Sequence, residues 1–198
     1  VVATLIISSL IWVPIGVWIG LKPRVAAIIQ PIVQFLAAFP ANFLFPIVVS
    51  LIVHWQLNVQ IWTTPLMILG TQWYILFNVI AGALAIPKDL KQASDSLGLR
   101  GSLWWRKLIL PAIFPYYVTG AMTAAGGAWN TSLVAEVVNW GQTRLTAKGL
   151  GAYIAAYTGD FSHTVVGVSI MCLFVFALNH IVWRPLYRLA ATRYQMTT

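Results

Sequence analysis

Between Arg24 and Lys88 the chain carries no aspartate, glutamate, lysine or arginine. A water-facing surface is not built from so long an uncharged stretch, because soluble domains keep about a quarter of their residues charged. Here charged residues make up 8% of the chain and hydrophobic residues 60%, so a soluble fold of this size would expose large apolar patches. The solvent that suits such a sequence is a lipid bilayer.

Crossing about 30 Å of hydrocarbon takes about 20 apolar helical residues. Five runs meet that length: Ala3 to Leu21, Val25 to Val53, Pro65 to Ile86, Ala112 to Val138 and Thr164 to Trp183. They predict an all-α integral membrane protein, with residues 1–198 as a single membrane domain, since no repeat, low-complexity tract or linker divides them. In the first run Gly16 and Gly20 have the GxxxG spacing that favours close helix packing. The second run is too long for one straight span and carries Pro31, Pro40 and Pro46. Each removes a helical hydrogen bond, which predicts a kinked or broken helix packed inside the bundle, where its freed groups find partners. Val1 stands directly before the first run with no basic leader, so the sequence reads as a piece of a longer polypeptide.

The net charge of +8 would suggest nucleic acid in a soluble protein, but these cations sit in short clusters between apolar runs and read as topology signals. Lys22, Arg24, Lys88, Lys91, Arg100, Arg106, Lys107, Arg184, Arg188 and Arg193 fall on one side, against Arg144 and Lys148 on the other. The excess of positive charge inside predicts a cytoplasmic Lys88 to Lys107 loop and an external Asn139 to His163 segment.

The most informative segment runs from Pro87 to Pro111 and reads as two short helices joined at glycine. Pro87 ends a span, and Asp89 stands where a helix starts. Leu90, Ala93 and Leu97 share one face of that helix. Gly98 falls where a left-handed residue would end it. Gly101-Ser102 offers a second start before a Trp-rich turn, and Leu110-Pro111 marks re-entry to the membrane. Such a hairpin, continuous with two spans, suits a protein that receives force from a soluble motor. A helix lying on lipid headgroups explains Trp104, Trp105, Arg106 and Lys107 as well.

These residues resemble the inner-membrane permeases of binding-protein-dependent ABC importers. Their EAA loop reads Glu-Ala-Ala, three residues, Gly, nine residues, then Ile-x-Leu-Pro. Here Gln92-Ala93-Ser94 precedes Gly98 by three residues, and Leu108-Ile109-Leu110-Pro111 follows nine later. The sequence departs from the pattern at Gln92, in place of glutamate, and at Ser94, in place of alanine. The likeness continues through Pro115 to Gly120, Ala128-Trp129, Leu133 to Glu136 and Gly149 to Gly151, and looks like the branch serving nitrate, sulfonates and taurine. It extends from about Thr4 to the last span.

The resemblance implies a type I importer permease fold, with 88–111 as coupling loop and Asp89, Gln92, Ala93, Ser94, Leu97, Gly98, Leu110 and Pro111 as the residues that meet an ATPase. It further implies two ATPase subunits holding ATP and magnesium, a second permease domain that is identical, different or fused, and an external solute-binding protein. No nucleic acid and no cofactor of its own are implied, and the location is a bacterial cytoplasmic membrane crossed several times. The solute would be small and anionic, moved by alternating access. No GxxxxGK[ST] loop or catalytic constellation is present, so the chain reads as a non-enzyme. The rival readings are a secondary transporter or channel working without ATP, which would need driving-ion chemistry, and a membrane enzyme, which would need a catalytic set.

Within the spans, Asn78, Trp129, Asn130 and Glu136 are candidates for the solute pathway, and helix-to-helix hydrogen bonding is the competing account of the amides. Glu136 is the only acid in a predicted span, near its external end, where a structural partner or interfacial exposure competes with a pathway role. His54, His163 and His180 have no metal-ligand spacing, and Cys172 stands alone in an apolar run. Leu150, Tyr153, Ile154 and Tyr157 form an amphipathic stretch that fits either the membrane surface or a cap on the pathway.

Overall fold

The computed structural model describes residues 1–140 and 143–194. Helices α1 (Val2–Gly20) and α2 (Pro23–Ala38) lead through a 3-10 turn (Ala41–Leu44) into α3 (Phe45–His54) and α4 (Val59–Leu84). Then follow α5 (Lys88–Ser96), α6 (Gly101–Trp104), α7 (Leu110–Ala135), the strands β1 (Val137–Trp140) and β2 (Thr143–Thr146), α8 (Leu150–Ala156), α9 (Phe161–Leu178) and α10 (Arg184–Arg193). Four helical stretches are long and apolar enough to cross a membrane, at Val2–Gly20, Val59–Leu84, Gly101–Ala135 and Phe161–Arg193. The bent pair Pro23–Ala38 and Ala41–His54, folded by 79°, counts as a fifth.

The break in the second run is where proline chemistry puts it. Phe39 is extended, with ψ 128, because the ring of Pro40 disfavours helix for the residue before it. Pro46 sits harmlessly in the first turn of α3, where an N–H would be unpaired anyway. The expectation of a run packed inside the bundle holds for one face only: Ala26, Val33, Phe45, Val49 and Ile52 are buried, whereas Ile28, Phe35 and Phe43 are exposed. Its freed groups are satisfied locally, Phe39 N–H donating to Phe35 and Leu36 carbonyls and Phe43 N–H to Pro40.

Helices α1, α4 and α7 form the core, joined by small residues that let backbones approach. A Cβ on Gly20 would lie 2.6 Å from the Ile80 carbonyl oxygen, and one on Gly120 would lie 2.8 Å from that of Tyr74. The GxxxG of α1 is thus a packing face against α4. Ile75, Leu76, Val79, Ile80 and Ile113 are fully buried along these seams. Trp12 Nε1–H donates to Gln72 Oε1 at 3.0 Å, and the Ser9 and Tyr117 hydroxyls pair at 2.9 Å, which ties α1 to both neighbours.

The expected turn between Trp104 and Pro111 is absent: Gly101–Ala135 is one helix of 35 residues. A π turn at Trp105–Ile109 keeps it continuous. Pro111 lacks the N–H that would bond to Lys107, and its ring would crowd that carbonyl, so the widened turn removes the conflict. Pro185 follows the same pattern, preceded by a π turn at Asn179–Trp183 that fuses α9 to α10.

Two further differences concern helix ends. The fourth span stops at Ala135, and Val137–Trp140 pairs antiparallel with Thr143–Thr146 in the register Val138 to Leu145, a hairpin that periodicity did not indicate. The third begins at Val59, capped by Asn58 Oδ1 accepting from Gln60 N–H at 2.9 Å, so Pro65 lies inside it. Helix α9 stands apart from the core, with only Gly167 fully buried.

Candidate functional site

At the end of the bundle that carries most of the cations, α5 projects between Ile86 and α6. The helix starts at Lys88 with Pro87 as its cap residue, so Asp89 is not the cap but a first-turn acid, where its charge complements the positive end of the helix. The other end closes as expected. Gly98 adopts φ 65, its N–H donates to Asp95 at 3.0 Å, and Leu99 N–H donates to Ser94 at 3.0 Å. Those two bonds are a Schellman motif. Gly101 also has a positive φ of 55, so the connection to α6 rests on two left-handed residues.

The amphipathic face of α5 is turned outward. Leu90 is 43% exposed, Leu97 is 75% exposed and Gln92 and Ala93 are exposed beside them, while Ser94 faces inward at 3%. Ser94 Oγ has no hydrogen-bond partner among the described residues; its smallness, not its polarity, fits it there. Leu103, on α6, adds a third exposed leucine at 50%. Beside this face a cavity of about 230 Å³ is lined by Leu90, Lys107, Pro111, Arg193 and Tyr194, so α10 reaches the same place.

Behind the outward face the segment is anchored. Ile86, Leu108 and Ile109 are buried with Val17, Ile75, Val79 and Ile113, and Trp104 and Trp105 pack against that cluster, edge to face at 5.9 Å. The tryptophans therefore hold the hairpin to the core. Leu110 is exposed and Pro111 half-buried, both inside the continuous helix.

The four candidate pathway residues separate into two places. Asn78 lies at the α4/α7 seam beside Gly120, and its Nδ2–H donates to the Tyr74 carbonyl of its own helix at 2.8 Å. Trp129, Asn130 and Glu136 lie together along the gap between α7 and α9. Trp129 stacks with Phe174 at 6.4 Å. On one side of the stack is a cavity of about 530 Å³ that includes Gly126, Asn130, Cys172 and Asn179; on the other is one of about 430 Å³ that includes Met67, Ser132 and Glu136.

Glu136 has a clear structural task. Its Oε2 accepts the Ala152 N–H at 3.0 Å, the carboxylate lies against Gly149, and its carbonyl accepts Ala147 N–H at 2.8 Å. It thereby ties the end of α7 to both the hairpin and the first turn of α8, whose N–H groups lack partners of their own. Helix α8 packs against α7 and α9, with Gly151 and Ala152 buried. Beyond it, Asp160 caps α9 through the His163 N–H at 3.2 Å, and the His163 ring donates to its Oδ2 at 2.7 Å. The ring hydrogen bond, then the backbone one, hold the Asp160 carboxyl below its ordinary value of 3.8.

Sequence reasoning did not single out Asn179 or Leu103. The signal was present for Asn179, an amide in the apolar run Thr164 to Trp183. For Leu103 only the folded arrangement shows that its side chain is left uncovered.

Residues 12–193 match the family described as binding-protein-dependent transport system inner membrane component. The chain is 29% identical over 160 residues to the bicarbonate transport system permease protein CmpB of Synechococcus elongatus, covering 81% of this chain and 56% of that protein. It is 26% identical over 183 residues to the taurine transport system permease protein TauC of Escherichia coli, covering 90% and 62%. With the nitrate import permease protein NrtB of Leptolyngbya laminosa it shares 25% identity over 179 residues, covering 89% and 61%. The matched part thus spans little more than half the length of these curated relatives.

Proposed function

The chain belongs to the family of binding-protein-dependent transport system inner membrane components, and on that premise we propose that it is the membrane-spanning permease subunit of an ATP-driven importer. In this reading α5 is the surface that two ATPase subunits grip. A second permease domain completes the pathway, and an external binding protein delivers the solute. ATP and magnesium are held by the ATPases, and the cationic end of the bundle faces the cytoplasm, as its basic residues favour. The solute is a small anion of the kind named for the relatives, such as bicarbonate, nitrate or a sulfonate, moved by alternating access through a pathway that includes Trp129 and Asn130.

The observation that carries the proposal is the outward face of α5. Leu90, Ala93 and Leu97 turn away from the chain, on a helix ended by Gly98 at the spacing of an EAA loop, while Ser94 turns in. An apolar face with a rigid end and an anchored base suits a socket in a partner protein.

Ala93→Arg tests the proposal. The side chain is exposed, so arginine is accommodated by the chain itself but not by an apolar socket. In vesicles holding the whole transporter with its ATPase and binding protein, the variant is expected to reach the membrane in normal amounts and to lose solute-stimulated ATP hydrolysis. Uptake by the wild type that persists without the ATPase, or normal coupling in Ala93→Arg, refutes the reading.

A further inference from the structure

The cleft of about 530 Å³ between α7 and α9 is lined by Gly126, Trp129, Asn130, Cys172, Phe176 and Asn179 among others. An amide at membrane depth is costly without a partner, yet among the described residues neither the Asn130 nor the Asn179 side chain makes a hydrogen bond within the chain. Both residues are exposed in this chain and share one opening, so their amides meet whatever fills it, and water or the oxygens of a solute satisfy them where lipid does not. Asn78, bonded to its own helix at 2.8 Å, shows the alternative that these two do not take.

The walls around the amides agree. A Cβ on Gly126 would meet nothing within 4 Å, so this glycine leaves open space and serves no helix contact. Asn179 opens the π turn Asn179–Trp183, which breaks the regular spacing of α9 where it faces the cleft. The stack of Trp129 on Phe174 at 6.4 Å closes one flank. The lining includes neither acid nor base, so a solute there is held by neutral groups, and the amide N–H groups can donate to the oxygens of an anion of the kind that the transport reading names. The volume also lies within the common range of small-ligand sites, roughly 300–1,000 Å³.

We propose that this cleft is a hydrated station of the solute pathway, where the amides of Asn130 and Asn179 donate hydrogen bonds to the oxygens of a small anion. The inference rests on the transport reading and gives it a place and a chemistry. Asn179 is a specificity-determining residue in this account, and Cys172, on the same wall, is a native reporter of what fills the cleft.

Cys172 is the only cysteine of these 198 residues, so the full transporter in vesicles can be labelled with a charged, membrane-impermeant thiosulfonate and, separately, with an apolar maleimide, modification being read on the Cys172 peptide and checked against a Cys172→Ala transporter. The charged reagent is expected to modify Cys172, and saturating nitrate or bicarbonate to slow it. Asn130→Leu and Asn179→Leu are expected to lower uptake by about tenfold each, as for one lost hydrogen bond to a charged solute, with the amount of protein in the membrane kept. Asn179→Gln should recover part of the loss, which a purely structural role would not predict. Modification by the apolar reagent alone, or normal uptake in both leucine variants, overturns the inference. If the wild type takes up no anion, the transport reading fails instead, and the labelling still decides whether the cleft holds water.

Discussion

Replacing Gly98 isolates the contribution of one backbone angle. The residue has φ 65, and a Cβ built there would meet nothing within 4 Å, so Gly98→Val causes no clash and acts through conformation alone. A left-handed L residue costs about 1–2 kcal/mol, and a β-branched side chain lies at the unfavourable end. The chain can relieve that strain by leaving the left-handed region, but then Gly98 N–H and Leu99 N–H lose their bonds to Asp95 and Ser94. Either way the end of α5 no longer rests in its present shape. If docking of an ATPase selects that shape, 1–2 kcal/mol weakens it by about 5- to 30-fold. Gly98→Asn is the matching control, because asparagine tolerates the left-handed region. Titrating ATPase subunits onto the permease in lipid discs, with solute-stimulated hydrolysis as second readout, should rank wild type first, Gly98→Asn close behind and Gly98→Val last. Equal affinity for Gly98→Val and wild type would refute the reasoning. So would equal damage from asparagine and valine, since the cause would then not be the angle.

Three other outcomes follow from the packing. Gly20→Val should lower stability in detergent by about 1–3 kcal/mol, the range for overpacking a close contact, because its Cβ would lie 2.6 Å from the Ile80 carbonyl oxygen; Gly126→Ala, at an open position inside a helix, should not lower the unfolding midpoint and should raise it slightly. Glu136→Ala removes the acceptor of the Ala152 N–H and should cost about 1–3 kcal/mol, read as faster amide exchange in α8, while Glu136→Gln, which keeps a carbonyl, should lose less. Asp160 is held below its ordinary value of 3.8 by His163, so its contribution is complete above that value and is lost as pH falls through the depressed one. Acid unfolding of wild type and Asp160→Ala should therefore differ by a constant above pH 3.8 and converge below it; parallel curves throughout would exclude the pair.

What the sequence made legible was whatever depends on composition or on a single residue's chemistry. The uncharged stretch after Arg24 gave the spans, Pro40 gave the break, and Gly98 gave the left-handed end of α5. Close packing at Gly16 and Gly20 was equally readable, though not that α4 is the helix they meet. What escaped depends on competition between distant parts. The apolar face of α5 was visible, but that it points outward with Ser94 inward is decided by how Trp104, Trp105 and Ile109 seat against Val17 and Ile75. The π turns escaped because proline within a run reads as a stop, whereas one wide turn absorbs it at Pro111 and Pro185. The short strands after Ala135 carry too few residues for a period of two to show.

The continuity of α7 with α6 gives this arrangement its mechanical sense. From Gly101 to Asn130 the helix covers on the order of 40 Å at 1.5 Å per residue, so one rigid element joins the base of the α5 hairpin to the cleft beside α9. Had the chain turned at Trp104 and Trp105, as the sequence suggested, movement at α5 would be lost in a loop. Along this length α7 is held to α4 by contacts too close to slide, as at Gly120 against Tyr74 and Gly82 against Tyr116. Helix α9 has no such seam. It is tethered by α8 at one end and by α10 at the other, and touches α7 through Phe174 on Trp129. If α5 is gripped as proposed, a force on it is expected to move α1, α4 and α7 together and to be taken up at the gap between α7 and α9, where Asn130 and Asn179 lie.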